Sequence, residues 1–237
     1  MIESLEKQGH ALWPSRLAGE ELAELARLFD GWPKGRPGLR IDPIRAGDLA
    51  GVKRIFAAMR PYMGEAVRPV RAILFDKQDG ANWALGWHQD RTIEVAKQRQ
   101  VEGFGPWTVK QGRVHVAPPV SLLEHMVTVR FHLDPVDADN APLLVAPGSH
   151  RLGLIPEGAI SNVIHEMGEA ICLAEAGAVW MYHTLILHAS ARSTPGRHRR
   201  VLQIDLSADD LPGGLRWAID GNQRPEDATG RPWRAGA

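Results

Sequence analysis

The chain has 237 residues, 44% of them hydrophobic, enough for one large domain with a substantial core. Lys plus Arg and Asp plus Glu number 28 each, so the formal charge is zero and no general attraction to nucleic acid or an anionic membrane is expected. A single cysteine, Cys172, excludes an internal disulfide, fits a reducing compartment and reads as a small buried apolar side chain.

The opening residues, MIESLEKQGHALWPSR, lack a basic start followed by an apolar stretch, so no secretory signal is visible. Two segments then carry helical spacing. In GEELAELARLFD the apolar face is Leu22, Leu25, Ala26 and Phe29. In GDLAGVKRIFAAMRPYM it is Leu49, Val52, Ile55, Phe56 and Met59, with Asp48 as the expected N-cap and Pro61 near the end. From about residue 69 short strands alternate with turn clusters: PVRAILFDK, ALGWHQD, HMVTVRFHLD, PLLVAP, GAVWMYH, TLILHAS and RRVLQIDLS. Helices first and many strands after them predict a mainly β fold, an antiparallel barrel or sandwich with helices on its outside. The expected organisation is a single domain over 1–237, with a helical part at 1–67, a strand core at 68–207 and an irregular tail at 208–237. Residues 91–120, rich in Gly and Pro, read as a long irregular insertion, the kind of segment that forms lids or binding loops. The most apolar stretch, AVWMYHTLILHA, is too short and too rich in histidine to span a bilayer, so a cytoplasmic protein, monomeric or homodimeric, is expected.

Two His-x-Asp triplets compete for attention, WHQD at 87–90 and FHLD at 131–134. With ten histidines in the chain, such a triplet carries little weight alone. Side chains at i and i+2 of a strand share a face, which puts His88 with Asp90 and leaves Trp87 and Gln89 opposite. In TLILHAS the same rule groups Thr184, Ile186, His188 and Ser190. In RRVLQIDLS it groups Arg199, Val201, Gln203 and Asp205. A polar row on an antiparallel strand normally faces water. Turned into a barrel, it would need partners such as a metal and an anion, and Arg199 would suit a bidentate carboxylate.

WHQD, then DNAPLLVAPGSH, then LILHASARSTPGRHRR together resemble the phytanoyl-CoA dioxygenase family of iron(II)- and 2-oxoglutarate-dependent oxygenases. The resemblance covers residues 68–207. It rests on the His-x-Asp pair, the Pro-Gly-Ser-His segment, and a distal His188 followed eleven residues later by Arg199. It implies a double-stranded β-helix (a cupin-like jelly roll) and settles the choice between the triplets in favour of His88 and Asp90. The implied metal ligands are His88, Asp90 and His188 on Fe(II). Arg199 and Ser190 are the implied contacts to 2-oxoglutarate, with Lys77 and Gln89 as further candidates. The implied reaction uses O2, releases succinate and CO2, and hydroxylates a small molecule. Asp90 argues against the halogenase variation, in which a small residue opens a chloride site. There are two departures: Ala141 stands where the family usually has Gly, and Arg130 where many members have an aromatic residue.

Arg130 and His132 are expected to line the cavity. The insertion is the expected lid, and its Lys110 and Arg113 would meet a carboxylate or phosphate of the substrate, unless they are simply solvated. Trp83, Trp87, Phe104 and Trp107 are candidate apolar walls. The main alternative is a non-catalytic cupin-like barrel that binds a metal or small ligand. A nucleic-acid demethylase on the same barrel is disfavoured by the neutral charge and the lack of a basic stripe.

Overall fold

A computed structural model describes residues 1–33 and 35–220; the last part of the expected irregular tail, 221–237, lies outside the described residues. The N-terminal part holds α1 (Ile2–Gln8), β1 (His10–Leu12), α2 (Glu20–Ala26), β2 (Gly38–Ile41), α3 (Pro43–Gly47) and α4 (Ala50–Met63). There follow β3 (Arg68–Lys77), β4 (Leu85–His88), β5 (Ile93–Val95), β6 (Trp107–Lys110), β7 (Arg113–Val116) and α5 (Val120–Glu124). The remainder is β8 (Val127–His132), β9 (Leu143–Val145), α6 (Ile160–Met167), β10 (Ala170–Cys172), β11 (Val179–His183), β12 (His188–Ser190) and β13 (Arg199–Ser207).

The strands form a jelly roll. Its major sheet has the order β1-β11-β8-β13-β3-β2, its minor sheet β10-β9-β12-β4, and every pairing is antiparallel. The outer face of the major sheet carries Ala72, Leu74, Val129, Phe131, Leu202 and Ile204, and it is covered by Leu25 and Phe29 together with Val52, Ile55 and Met59 of α4. Burying each of these side chains other than Ala72 contributes about 1.5–3 kcal/mol relative to leaving it exposed. Because strand side chains alternate, the same packing turns the polar rows inward. On β13 and β3, Arg199 lies opposite Lys77, Gln203 opposite Ile73 and Asp205 opposite Arg71. On β8, Arg130 lies opposite Gln203 and Thr128 opposite Asp205.

Three local expectations are corrected. Asp48 does not cap α4: α3 ends just before it, Leu49 takes the cap position, and the Glu24 carboxylate accepts from the Ala50 backbone N–H at 3.0 Å. TLILHAS is a strand only at His188–Ser190, since Thr184–Leu187 turn the chain and Thr184 meets the Thr128 hydroxyl at 3.2 Å. The insertion is not irregular either. Its strands pair as β5-β7-β6 around Ile93, Val95, Phe104 and Val116, which pack on Leu123, Leu215 and Trp217. The turn joining β6 to β7 is Gln111-Gly112, both at positive φ (53° and 75°), the backbone a two-residue hairpin requires.

Candidate active site

His88 ends β4 and His188 begins β12, and the two residues are direct cross-strand partners, with ring centroids 4.2 Å apart. Asp90 lies just past β4. The three side chains offer ligand atoms within 4.8 Å of one another, the only such group of three or more among the described residues. Each imidazole Nδ1 lies against a backbone carbonyl, His88 on Gly86 O at 2.8 Å and His188 on Ile186 O at 2.9 Å. Donation from Nδ1–H fixes the tautomer and leaves each Nε2 lone pair for a metal. Burial holds the His188 imidazole at about 4, so it is neutral and able to ligate at ordinary pH. Two imidazoles and one carboxylate with open positions beside them are the donor set suited to non-haem Fe(II).

Behind Asp90 lies a buried polar network. Arg71 donates from Nη2 to Asp90 Oδ2 at 3.1 Å and from Nε to Asp205 Oδ2 at 2.5 Å, and Asp205 Oδ1 accepts from the Thr128 hydroxyl at 3.1 Å. Burial pushes the Asp90 carboxyl up, but the charge and hydrogen bond of Arg71 outweigh it and hold it below the usual range. For Asp205 burial prevails and its carboxyl is raised despite Arg71.

A cavity of about 320 Å³ opens beside the triad between the two sheets. At one end Ser190 Oγ accepts from Lys77 Nζ at 2.8 Å and from Arg199 Nη1 at 3.1 Å. Arg199 Nη1 also donates to Ala141 O, and Lys77 Nζ to Ala191 O. Lys77, Arg199 and the nearby Arg130 are 0%, 2% and 5% exposed, and none has a carboxylate partner among the described residues. The Nε atoms of Arg130 and Arg199 are buried and unpaired. Burial, with Arg199 and Arg130 beside it, lowers the Lys77 ammonium to about 7, and burial and Arg130 lower Arg199 to about 9. Unpaired buried cations of this kind are costly until an anion arrives. The residues present fit a bound dicarboxylate.

A sequence model of the phytanoyl-CoA dioxygenase family matches residues 5–201. The chain belongs to this family, whose members use Fe(II), 2-oxoglutarate and O2. Solved structures agree on the jelly-roll fold. EctD from S. alaskensis with bound Fe superposes with a TM-score of 0.66 at 15% identity, covering 94% of this chain and 80% of that one. The nogalamycin-biosynthesis epimerase SnoN, in complex with Fe3+, alpha-ketoglutarate and nogalamycin RO, gives 0.60 at 16% identity over 98% and 94%. AviO1 from Streptomyces viridochromogenes Tue57 gives 0.56 at 17% over 90% and 94%. No curated protein matches the sequence. No helix among the described residues is long and apolar enough to cross a membrane.

Within this phytanoyl-CoA dioxygenase family member, the remaining candidates divide. Arg130, Lys110 and Trp83 line the cavity, whereas His132 does not: it lies opposite Val201, buried, with both ring nitrogens unpaired. Its neighbour Asp134 is held by Arg200, from Nη2 at 2.6 Å and Nε at 3.0 Å, so the rival triplet forms no ligand pair. Gln89 borders the cavity, but its amide donates to Gly153 O and Leu185 O and accepts from Ile155 N–H, which makes it a strap between loops. Arg113 is turned to Glu94 at 2.6 Å. Trp87, Phe104 and Trp107 pack into apolar clusters away from the cavity. Ala141 adopts φ +50°, the left-handed conformation its glycine counterpart would take freely, and its carbonyl accepts from Arg199 and Ser190. Arg71 and Arg40 escaped the sequence reading. The signal for Arg71 was the alternation Arg71, Ile73, Phe75, Lys77 along β3, which shares the inward face with Arg199 on β13.

Proposed function

We propose that the protein is an Fe(II)- and 2-oxoglutarate-dependent dioxygenase that hydroxylates a small molecule. The convergence of His88, Asp90 and His188, with both Nδ1 atoms on backbone carbonyls, carries this reading. These three residues would hold the iron. Arg199, Ser190 and Lys77 would hold the far carboxylate of 2-oxoglutarate, which supplies the counter-charge that the buried cations lack. When bound, iron and cosubstrate supply the oxidising chemistry: O2 is consumed, 2-oxoglutarate leaves as succinate and CO2, and a substrate C–H becomes C–OH.

The chain's own part is placement and exclusion. Arg71 keeps Asp90 ionised and oriented, Gln89 ties the segment after β4 to two neighbouring loops, and the sheets shield the reacting atoms from water. The test is an anaerobic titration of the purified protein with Fe(II) and then 2-oxoglutarate. The expected outcome is a visible metal-to-ligand charge-transfer band that saturates at one equivalent of iron, followed by succinate release on admitting O2. A metal-binding barrel without catalysis would give neither the band nor succinate.

A further inference from the structure

Lysine and arginine balance aspartate and glutamate over the whole chain, yet they are strongly segregated in the cavity. Its inner end presents Lys77, Arg130 and Arg199. The other side presents Arg40, Arg71, Arg91 and Lys110, and Asp90 is the only carboxylate among the lining residues. Arg71 is matched by Asp205 and Asp90, and Arg91 is spent on Ile155 O and Gln89 Oε1.

Arg40 and Lys110 are not matched in this way. Arg40 is placed by β2 opposite Ile73, with its Nε buried and without a hydrogen-bond acceptor. Its nearest acid is Glu94, 3.9 Å away, whose other oxygen is taken by Arg113 at 2.6 Å. Lys110 stands at the start of the Gln111-Gly112 turn, and among the described residues its Nζ has only the Thr92 hydroxyl at 3.5 Å. Bound 2-oxoglutarate does not supply the missing charge. Fe(II), Asp90 and the cosubstrate dianion sum to a single negative charge, and the inner cations absorb it. A cavity walled by protein focuses what remains onto whatever enters last.

We propose that the substrate is a small organic anion whose carboxylate or phosphate lies between Arg40 and Lys110, with its reacting carbon turned to the His88–Asp90–His188 face. The inference rests on the iron and 2-oxoglutarate reading for its orientation, while the anion site itself rests on Arg40 and Lys110.

The test is calorimetric titration of the Fe(II)–2-oxoglutarate complex under nitrogen with hexanoate, hexyl phosphate and the uncharged hexanamide. At least one of the two acids should bind about 10–100-fold more tightly than the amide, the range expected for one charge-assisted contact. Whichever acid prevails identifies the charged group. Lys110→Gln and Arg40→Gln should each weaken that acid about 10-fold or more while leaving the charge-transfer band of the 2-oxoglutarate complex in place. Lys110 is exposed, so its variant keeps the fold even if the Arg40 variant does not. Equal binding of acid and amide, acid binding unchanged in both variants, or loss of the band on saturation with acid (which would put the acid at the Arg199 end) would each overturn the proposal. If the wild type gives no band at all, the iron reading fails by itself, and the same titrations on metal-free protein continue to decide the anion site.

Discussion

Arg71 touches two carboxylates at once, and that makes it the residue on which site and fold depend together. Its charge is opposed by burial but held up by Asp205 and Asp90. Replacing it with Leu leaves Asp205 buried beside Thr128 with no cation, an arrangement that costs about 3–5 kcal/mol. Arg71→Leu should therefore lower the urea midpoint sharply, and adding Asp205→Leu should recover much of the loss. A double variant no more stable than the single one would show that the pair is not the cause. At the triad, His88→Ala, Asp90→Ala and His188→Ala should each purify with little iron, whereas His132→Ala, with no ligand partner near it, should keep a full equivalent; iron analysis decides. Arg199→Ala removes a charged donor from a desolvated end of the cavity, worth about 2–5 kcal/mol. The 2-oxoglutarate concentration that half-saturates the charge-transfer band should rise at least 30-fold, by about 2 kcal/mol. An unchanged value would remove Arg199 from the cosubstrate site.

At the scale of elements, what could be read from the sequence followed side-chain periodicity. PVRAILFDK and RRVLQIDLS lie within or match β3 and β13, because long alternating runs record which face is covered. His88, Asp90 and His188 could be paired through the family resemblance, but Arg71, Asp205 and Thr128 become a network only when β3, β13 and β8 are in register. TLILHAS shows the opposite failure: an apolar run reads as one strand, while Thr184 and Leu185 are spent on a buried turn. The insertion hid its strands because Trp107–Lys110 and Arg113–Val116 are only four residues each, too short for alternation to show. Its hairpin now gives a prediction. Gly112 sits at φ +75°, where a β-branched side chain is strained by about 1–2 kcal/mol. Gly112→Val should splay the turn that positions Lys110 and speed hydrogen exchange in β6, while β13 exchanges as before. Unchanged exchange in β6 would mean that packing around Trp107 and Val114, not the turn, holds the hairpin.

Over the whole molecule, a jelly roll with an apolar exterior under helices and a polar interior buries titratable groups that most domains expose. His115 and His183 illustrate the cost. His115 is fully buried beside Glu94, yet burial and the surrounding Arg40, Arg71, Lys110 and Arg113 lower it to about 3. His183, stacked on His150 at 4.6 Å and bonded to the Tyr62 hydroxyl at 3.0 Å, is lowered by burial and by His150 to about 4. Both are neutral in the folded protein, whereas in the unfolded chain they titrate near the ordinary value of 6.5. The unfolded state therefore binds more protons at every pH between those values. Their contribution is fully present above about pH 6.5 and is lost as the pH falls toward 4, each group approaching about 1.4 kcal/mol per pH unit. Metal-free protein should show a lower urea midpoint at pH 5.5 than at pH 7.5, a window in which most unfolded-state carboxylates stay ionised. His183→Gln keeps a hydrogen-bonding partner for Tyr62 but cannot take up a proton, so its midpoint should fall less over the same interval. If wild type and variant lose stability in parallel, the acid sensitivity arises elsewhere, and the buried Asp76 and Asp205 carboxyls cannot supply it: both are raised on folding, so they gain rather than lose stability as the pH falls.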